Sequence, residues 1–298
     1  MTSEKIKGLV AATVTPMKAN GEVNLPALDS YVKHLEKQGL AGVFVNGTTE
    51  GLLMTSDERK AVAEAWMAYK DKFKVMVHVG GTSYAAAVDL ARHAEKIGAD
   101  AISAMGPCFL PPSRAEELVA FNKIVAAAAP GTPFYYYHIP GTSHVNVSML
   151  DFLKLGEKEI PTLRGIKYTT YDSMTMQECI AYRGGYYDIL HGHDETILTG
   201  LMLGATGGVG TSYSVTGELY NKLLDTFWAG DLAGAVKLQE KAVEFIRVLI
   251  KYENSVVGIK AILQIMGVDC GPVRLPMRNL TPDRMKALEA DLRAIGWI

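Results

Sequence analysis

Eight short apolar runs, each followed by a stretch with helical spacing, constrain the fold of this 298-residue chain more than any other feature. The runs lie at about residues 8–14, 41–46, 74–79, 99–104, 133–137, 164–168, 187–191 and 205–210. Near-continuous apolar character is typical of parallel strands that are buried on both faces. After the third run, apolar side chains recur at the spacing of a helix that packs on a sheet, at Ala87, Leu90, Ala91, Ala94 and Ile97. The repeat therefore predicts βα units.

Eight such units in about 220 residues favour an α/β fold of the (β/α)8, or TIM barrel, type over an open doubly wound sheet. An open sheet of that kind usually carries a glycine fingerprint after its first strand, and none follows here. Beyond residue 216 the strand pattern stops, and residues 217–251, 255–266 and 281–295 are predicted helices. We expect a barrel over 1–216 that carries the active site and a helical C-terminal extension over 217–298 packed on it. An ordered loop is expected at 268–280.

Composition excludes several classes of function. Thirty Lys and Arg against 32 Asp and Glu give a formal net charge of −2 without a basic run, so a nucleic-acid partner is not expected. No apolar stretch reaches the ~20 residues that a membrane span needs, so no membrane partner is expected either. Three cysteines, and an N-terminal segment without the apolar core of a signal peptide, predict a reducing cytoplasm.

Barrels of this kind carry their active sites at the carboxyl ends of the strands, so reactive side chains there are the candidates. The second run ends in Asn-Gly-Thr-Thr-Glu-Gly at 46–51. Its backbone amides and the hydroxyls of Thr48 and Thr49 suit a carboxylate or a phosphate. The alternative reading is a helix N-cap, with Thr followed closely by Glu, and both readings can hold.

The fifth and sixth runs each end in one candidate side chain. In the fifth, strand alternation puts Tyr135 and Tyr137 on one face and Tyr136 on the other, and Tyr137 is the phenol best placed for the mouth of the barrel. In the sixth, Lys167 is flanked by apolar residues. It is either a rim residue whose stem lies on apolar surface or a desolvated amine that attacks carbonyl groups.

The seventh and eighth runs end in polar loops. Residues 191–195 read His-Gly-His-Asp-Glu, and two imidazoles on one strand face with neighbouring acids could form a metal site. Further ligands would have to come from other strand ends, where His78 and His138 have no acidic companion. We therefore expect no metal and a loop that forms hydrogen bonds with a polyol. After the eighth run, Thr211 is expected to contact a substrate hydroxyl.

Taken in order, these motifs resemble those of the N-acetylneuraminate lyase and dihydrodipicolinate synthase family of class I aldolases. The motifs are Gly-Thr-Thr-Glu at 47–50, Tyr-His-Ile-Pro at 137–140, Gly-Ile-Lys at 165–167, Gly-His-Asp-Glu at 192–195 and Gly-Thr-Ser-Tyr at 210–213. Their order and spacing fit along the whole chain, and residues 8–17 and 135–140 are similar to the sialic acid lyase branch.

The resemblance implies a role for each candidate. Lys167 would form a Schiff base with a 2-keto acid, Tyr137 would serve the proton transfers, and the turn with Thr48 and Thr49 would hold the keto-acid carboxylate. The implied reaction is reversible cleavage of N-acetylneuraminate to N-acetylmannosamine and pyruvate. The implied enzyme is a homotetramer that needs no metal or organic cofactor. The residues implied to bind the sugar are Gly192, Asp194, Glu195 and Thr211, and Thr169 is a further expected substrate-binding residue.

The chain departs from the family pattern in places that bear on specificity. The turn at 47–51 lacks the glycine that usually precedes its glutamate. Residues 141–144 read Gly-Thr-Ser-His, where the lyases commonly have Ala-Leu-Ser/Thr-Gly. This turn has no arginine, which the synthases use for their second substrate, and Phe109 and Leu110 stand where that branch has a tyrosine. The missing arginine and the missing tyrosine weaken the synthase reading.

Four alternatives stay open. Within the family, they are an aldolase or dehydratase for another 2-keto-3-deoxy sugar acid and an enzyme like dihydrodipicolinate synthase. Outside it, a metal-dependent hydrolase would use residues 191–195 to hold zinc. A non-catalytic sensor of sugar acids would keep the pocket with an idle lysine.

Overall fold

In the computed structural model, which describes residues 5–298, parallel strands close into a barrel in the order of the sequence. Closure joins the first strand to the last, with Gly8 beside Gly207 and Ala11 beside Gly210. The predicted TIM barrel is confirmed. Residues 1–4, part of the segment from which the cytoplasm was predicted, lie outside the described residues. The strands are Gly8–Ala12 (β1), Gly42–Val45 (β2), Lys74–His78 (β3), Ala101–Ala104 (β4), Phe134–His138 (β5), Leu163–Tyr168 (β6), Asp188–His191 (β7) and Gly207–Gly210 (β8).

Helices follow the strands and surround the barrel. Their buried faces come from the spacing seen in the sequence: in the third, Ala87, Leu90, Ala91 and Ala94 are buried. The α-helices are Leu28–Lys37 (α1), Ser56–Met67 (α2), Tyr84–Lys96 (α3), Ala115–Ala126 (α4), Pro140–Ser143 (α5), Met149–Glu159 (α6), Ser173–Ala181 (α7), Ile197–Leu203 (α8), Tyr213–Trp228 (α9), Leu232–Leu249 (α10), Ser255–Ile265 (α11) and Pro282–Ala294 (α12). Within residues 5–298, none of them has the length and apolar character to cross a bilayer.

Strand alternation divides the buried residues into two cores. Tyr135 and Tyr137 belong to the smaller core inside the barrel, together with Phe44 and Leu190. Tyr136 belongs to the larger core between barrel and helices, and its ring lies 4.6 Å from that of Phe152 on α6, centroid to centroid. The predicted faces of the three tyrosines are therefore confirmed, and Tyr137 is inside the barrel.

The predicted helix over 217–251 is wrong as a single helix, because α9 and α10 are separate there. Gly230 takes a left-handed φ of 86° after α9, and Asp231 then caps α10 by accepting a hydrogen bond from Gly234 N at 2.8 Å. Helices α11 and α12 and the loop 268–280 lie where the sequence predicts them. Since α9 contacts β1 and spans residue 216, the division of the chain at that residue stays a prediction.

The N-cap reading of the turn at 46–51 is also wrong. Helix α2 begins at Ser56, and its N-cap is Thr55. The Thr55 hydroxyl accepts a hydrogen bond from Glu58 N at 3.2 Å, and Thr55 N donates one to the Glu58 carboxylate at 2.8 Å. This reciprocal capping box leaves the turn free for another role.

A buried ion pair joins that turn to the C-terminal extension. Lys260 Nζ on α11 lies 2.8 Å from Glu50 Oε1, and it also donates to the Pro272 carbonyl at 2.8 Å. Glu50 Oε2 accepts from Thr15 N at 2.9 Å, so every charged atom of the pair has a partner. Burial raises the pKa of Glu50 and lowers that of Lys260, because each charge has lost water. The pair fixes the turn only while both partners are present.

We expect Lys260→Met to lower the free energy of unfolding by about 3–5 kcal/mol, because it leaves a buried carboxylate without its counter-charge. The double variant Glu50→Gln with Lys260→Met should recover part of this loss. Denaturant unfolding followed by circular dichroism measures both. The control is Lys33→Met, which breaks the exposed pair with Asp29 and should barely move the midpoint. A Lys260→Met midpoint equal to that of the control would contradict the assignment.

Candidate active site

The Lys167 side chain lies inside the barrel on β6 and is 3% exposed. Its Nζ stands 4.0 Å from the ring centroid of Tyr137 and 4.2 Å from that of Phe44. Burial lowers the pKa of Lys167 to about 7, although the nearby carboxylate of Asp194 partly offsets the effect. Burial contradicts the rim reading of this lysine and agrees with a desolvated amine, whose attack on carbonyl groups stays a prediction.

Tyr137 faces Lys167 because the two residues are register partners on β5 and β6. Its phenol oxygen lies 3.0 Å from Thr48 Oγ1, which brings the turn after β2 to the same place. Burial raises the pKa of Tyr137 to about 12, so the phenol is protonated near neutral pH. Amine, phenol and hydroxyl therefore meet at the carboxyl ends of three strands.

The shortened turn at 47–51 keeps its amides available despite the missing glycine. Asn46 takes a left-handed φ of 60°, a conformation that asparagine tolerates, and Gly51 N donates to Gly47 O at 2.8 Å. The Thr49 hydroxyl is already occupied, because it donates to the Thr13 carbonyl at 2.7 Å. The group of Thr49 that could bind a ligand is therefore its backbone amide. Within residues 5–298, the backbone N–H groups of Thr48 and Thr49 have no hydrogen-bond acceptor. Two such donors suit a carboxylate.

Asp194 is held at the end of β8 by Ser212. Its Oδ2 accepts from Ser212 N at 2.9 Å and from the Ser212 hydroxyl. A Cβ on Gly210 would lie 1.6 Å from Asp194 Oδ1, so the carboxylate approaches β8 this closely only because residue 210 is glycine. Burial raises the pKa of Asp194 to about 6, against the hydrogen bonds from Ser212. This carboxylate is the charged neighbour of Lys167.

The remaining predicted residues line the same ends of β6, β7 and β8. Thr169 packs against Gly192 so closely that a Cβ on the glycine would lie 2.0 Å from the Thr169 hydroxyl. Glu195 accepts a hydrogen bond from the Tyr171 phenol at 2.5 Å. Thr211 is half-buried directly after β8. The structure therefore brings the predicted sugar-binding residues to the mouth that holds Lys167.

The two histidines of 191–195 have partners other than a metal. His191 Nε2 lies 3.0 Å from the Thr196 hydroxyl, and the ring of His193 stacks on Tyr171. In the part of the chain that the structure describes, no three His, Cys, Asp or Glu side chains are grouped so that they could hold a metal ion. Residues 5–298 therefore offer no set of ligands for the zinc-hydrolase alternative.

Two residues that the sequence reading missed, Phe44 and Tyr171, also shape the site, as does His78, which the sequence reading considered only as a metal ligand. Phe44 forms one wall around the Lys167 amine, and Tyr171 contacts Glu195. His78 is fully buried with its ring centroid 5.7 Å from that of Tyr137, and burial lowers its pKa well below the ordinary value. Phe44 and His78 occupy inward positions near the ends of β2 and β3, so strand alternation could have identified them.

Comparison with known proteins gives the family. The model of the dihydrodipicolinate synthetase family matches residues 5–295. The chain belongs to this family. The predicted resemblance is confirmed.

Individual relatives carry more specific names. N-acetylneuraminate lyase from Rattus norvegicus is 39% identical over 99% of this chain and 94% of its own length. The structure of N-acetylneuraminate lyase from Proteus mirabilis is 39% identical, with a TM-score of 0.94 over 99% of this chain and 100% of that one. A catalytic lysine mutant of the Ruminococcus gnavus sialic acid aldolase is 30% identical, with a TM-score of 0.93 over 99% and 97% of the two chains.

Proposed function

We propose that this chain is an N-acetylneuraminate lyase that reversibly cleaves N-acetylneuraminate to N-acetylmannosamine and pyruvate through a Schiff base on Lys167. The observation that carries the proposal is the buried amine of Lys167, with its pKa lowered to about 7, beside Tyr137 at the mouth of the barrel. The relatives named N-acetylneuraminate lyase, which match nearly the full chain, support the choice of substrate.

The chemistry follows from a neutral amine. Lys167 adds to the C2 carbonyl of the keto acid, and loss of water gives an iminium ion. The iminium takes up the electron pair of the C3–C4 bond as that bond breaks, so the product is an enamine and not a free carbanion. Protonation at C3 and hydrolysis then release pyruvate and restore the amine. The amides of Thr48 and Thr49 hold the carboxylate of the keto acid throughout.

Cleavage also requires that a proton leave the C4 hydroxyl. Tyr137 is the group placed to receive it, but burial keeps its phenol protonated. The phenol therefore takes up the C4 proton as it passes its own proton to the carboxylate of the substrate. Thr48, 3.0 Å from the phenol oxygen, orients this relay.

The rest of the mouth suits a neutral sugar. Carboxylates at Asp194 and Glu195 accept hydrogen bonds from hydroxyls and repel an anionic aldehyde. Thr169, Gly192 and Thr211 complete the proposed sugar site. We include in the proposal a location in the cytoplasm, with which the three cysteines agree because all are free within residues 5–298. We also include a homotetramer, which rests on the family resemblance alone. The chemistry needs no metal or organic cofactor.

One observation favours a second candidate, an aldolase for another 2-keto-3-deoxy sugar acid. The wall at 141–144 differs from the lyase pattern, and His144 after α5 takes a left-handed φ of 57°. Glycine favours this φ, so the backbone of the wall agrees with the lyase pattern while the His144 side chain departs from it, and a different sugar would keep the same Lys167 chemistry.

We expect Tyr137→Phe to lower kcat for cleavage of N-acetylneuraminate by roughly 10²- to 10⁴-fold, the range for loss of a general acid–base group. The ring and its packing against Lys167 remain, so the loss should fall on kcat. Tyr136→Phe is the matched control, because its phenol faces the outer core, and it should keep wild-type turnover. Pyruvate release measures both. Equal turnover in the two variants would mean that a residue other than Tyr137 transfers the proton.

We expect the wild-type enzyme to condense pyruvate with N-acetylmannosamine and to act weakly or not at all on aspartate semialdehyde. In Asp194→Ala, KM for the sugar should rise, and kcat/KM should fall about 10- to 150-fold for a lost hydrogen bond to a charged acceptor. Asp151→Ala, which removes an exposed carboxylate on α6, should change neither constant. A wild-type preference for aspartate semialdehyde or glyceraldehyde would contradict the proposed substrate.

A further inference from the structure

Tyr171 is an exposed side chain that two separate contacts hold in place. It lies on the loop between β6 and α7, and 65% of it is exposed. Its ring nevertheless stacks on His193, with centroids 4.2 Å apart and an interplanar angle of 3°. Its phenol donates to Glu195 Oε1 at 2.5 Å. The aromatic pair and the carboxylate therefore form one unit at the rim of the site, which we call the Tyr171 clamp.

Charge strengthens the clamp. Burial opposes ionisation of Glu195, but hydrogen bonds from His193 and Tyr171 lower its pKa to about 2, so it is charged at neutral pH. The bond to Glu195 raises the pKa of Tyr171 to about 12, so the phenol stays a donor. His193 Nδ1 lies 3.5 Å from the same oxygen, Oε1. Both side chains contact Oε1, so neither of them occupies Oε2.

The clamp lies nearer to solvent than Asp194 does, because Asp194 is buried, Glu195 is partly exposed and Tyr171 is exposed. Asp194 is close enough to Lys167 to affect the pKa of its amine, and Glu195 is the next residue along the chain, where it contacts His193 and Tyr171. When Lys167 is bonded to C2 of the substrate, we therefore expect a short aldehyde partner to reach Asp194 and only a longer chain to reach Glu195. A carboxylate held in one orientation binds the hydroxyls of that longer chain with less loss of side-chain entropy.

We propose that Tyr171 is a positioning residue that fixes Glu195 and thereby makes the enzyme prefer hexoses over short aldehydes. The inference rests on the proposed function, because it assumes that Glu195 binds the sugar. Tyr171 touches no reacting atom in this account, so its effect should appear in KM for long substrates and not in kcat.

The test compares Tyr171→Phe with wild type in the condensation of pyruvate with N-acetylmannosamine, mannose and glyceraldehyde. Phenylalanine keeps the stack on His193 and removes only the bond to Glu195. We expect kcat/KM for the accepted hexoses to fall about 10-fold through KM, as for a lost hydrogen bond to a charged group, and kcat/KM for glyceraldehyde to stay unchanged. The double variant with Glu195→Gln should lose no more than Glu195→Gln alone.

The matched control is Tyr182→Phe. Tyr182 also donates to a glutamate, Glu157 Oε2 at 2.6 Å, but it follows the far end of α7 from the mouth. This variant should leave the ratio of hexose to glyceraldehyde kcat/KM at the wild-type value. An unchanged ratio in Tyr171→Phe, or additive losses in the double variant, would overturn the proposal. A wild-type enzyme that accepts mannose but not N-acetylmannosamine would contradict the proposed function. The ratio of mannose to glyceraldehyde kcat/KM in Tyr171→Phe would then still test the role of the clamp.

Discussion

The exclusion of water from one amine is the constraint on which the rest of the site depends. An ammonium ion inside a barrel is costly, so the chain buries Lys167 as a group that loses its proton readily. Two aromatic rings, Phe44 and Tyr137, contact the amine, and Asp194 supplies a nearby negative charge. Barrel closure sets this environment, because the register of β5, β6 and β7 puts Tyr137 and Leu190 on either side of Lys167. A lysine on the rim would keep its ordinary pKa and would be a poor nucleophile at neutral pH.

The C-terminal extension holds the loops that must face this amine. Loops at a barrel mouth are mobile unless other parts of the chain fix them. The Lys260–Glu50 pair anchors the turn that carries Thr48 and Thr49. On α10, the side chain of Gln239 accepts from Leu198 N at 3.0 Å and donates to the Asp194 carbonyl at 3.4 Å. The extension thus fixes both sides of the site, the expected carboxylate cradle and the expected sugar loop.

Most of the fold could be predicted from local patterns in the sequence. The strands were predictable because a parallel strand buried on both faces is apolar throughout, and Lys167 stood out because it interrupts such a strand. Two errors had local signals that were available: Gly230-Asp231 as an end and a cap between α9 and α10, and Thr55 with Glu58 as a capping box.

Other features of the site were beyond the reach of sequence patterns. The Lys260–Glu50 bond joins residues 210 apart in the chain, and no spacing rule connects them. The stack of Tyr171 on His193 depends on how two loops fold, which periodicity does not encode. Whether Lys167 was a rim residue or a buried amine depended on side chains from β2 and β5 that only barrel closure brings to it.

The pH dependence of covalent trapping tests the central claim most directly. With pyruvate and cyanoborohydride, a neutral amine forms an imine that reduction makes permanent, and peptide mass spectrometry locates the label. We expect the label on Lys167, with a trapping rate that rises as the pH passes through about 7, because the amine loses its proton at its pKa. Lys260 is an internal control, since it is also buried but is bonded to Glu50. A label on Lys260, or a rate that rises only near pH ~10 as for an ordinary lysine, would contradict the account.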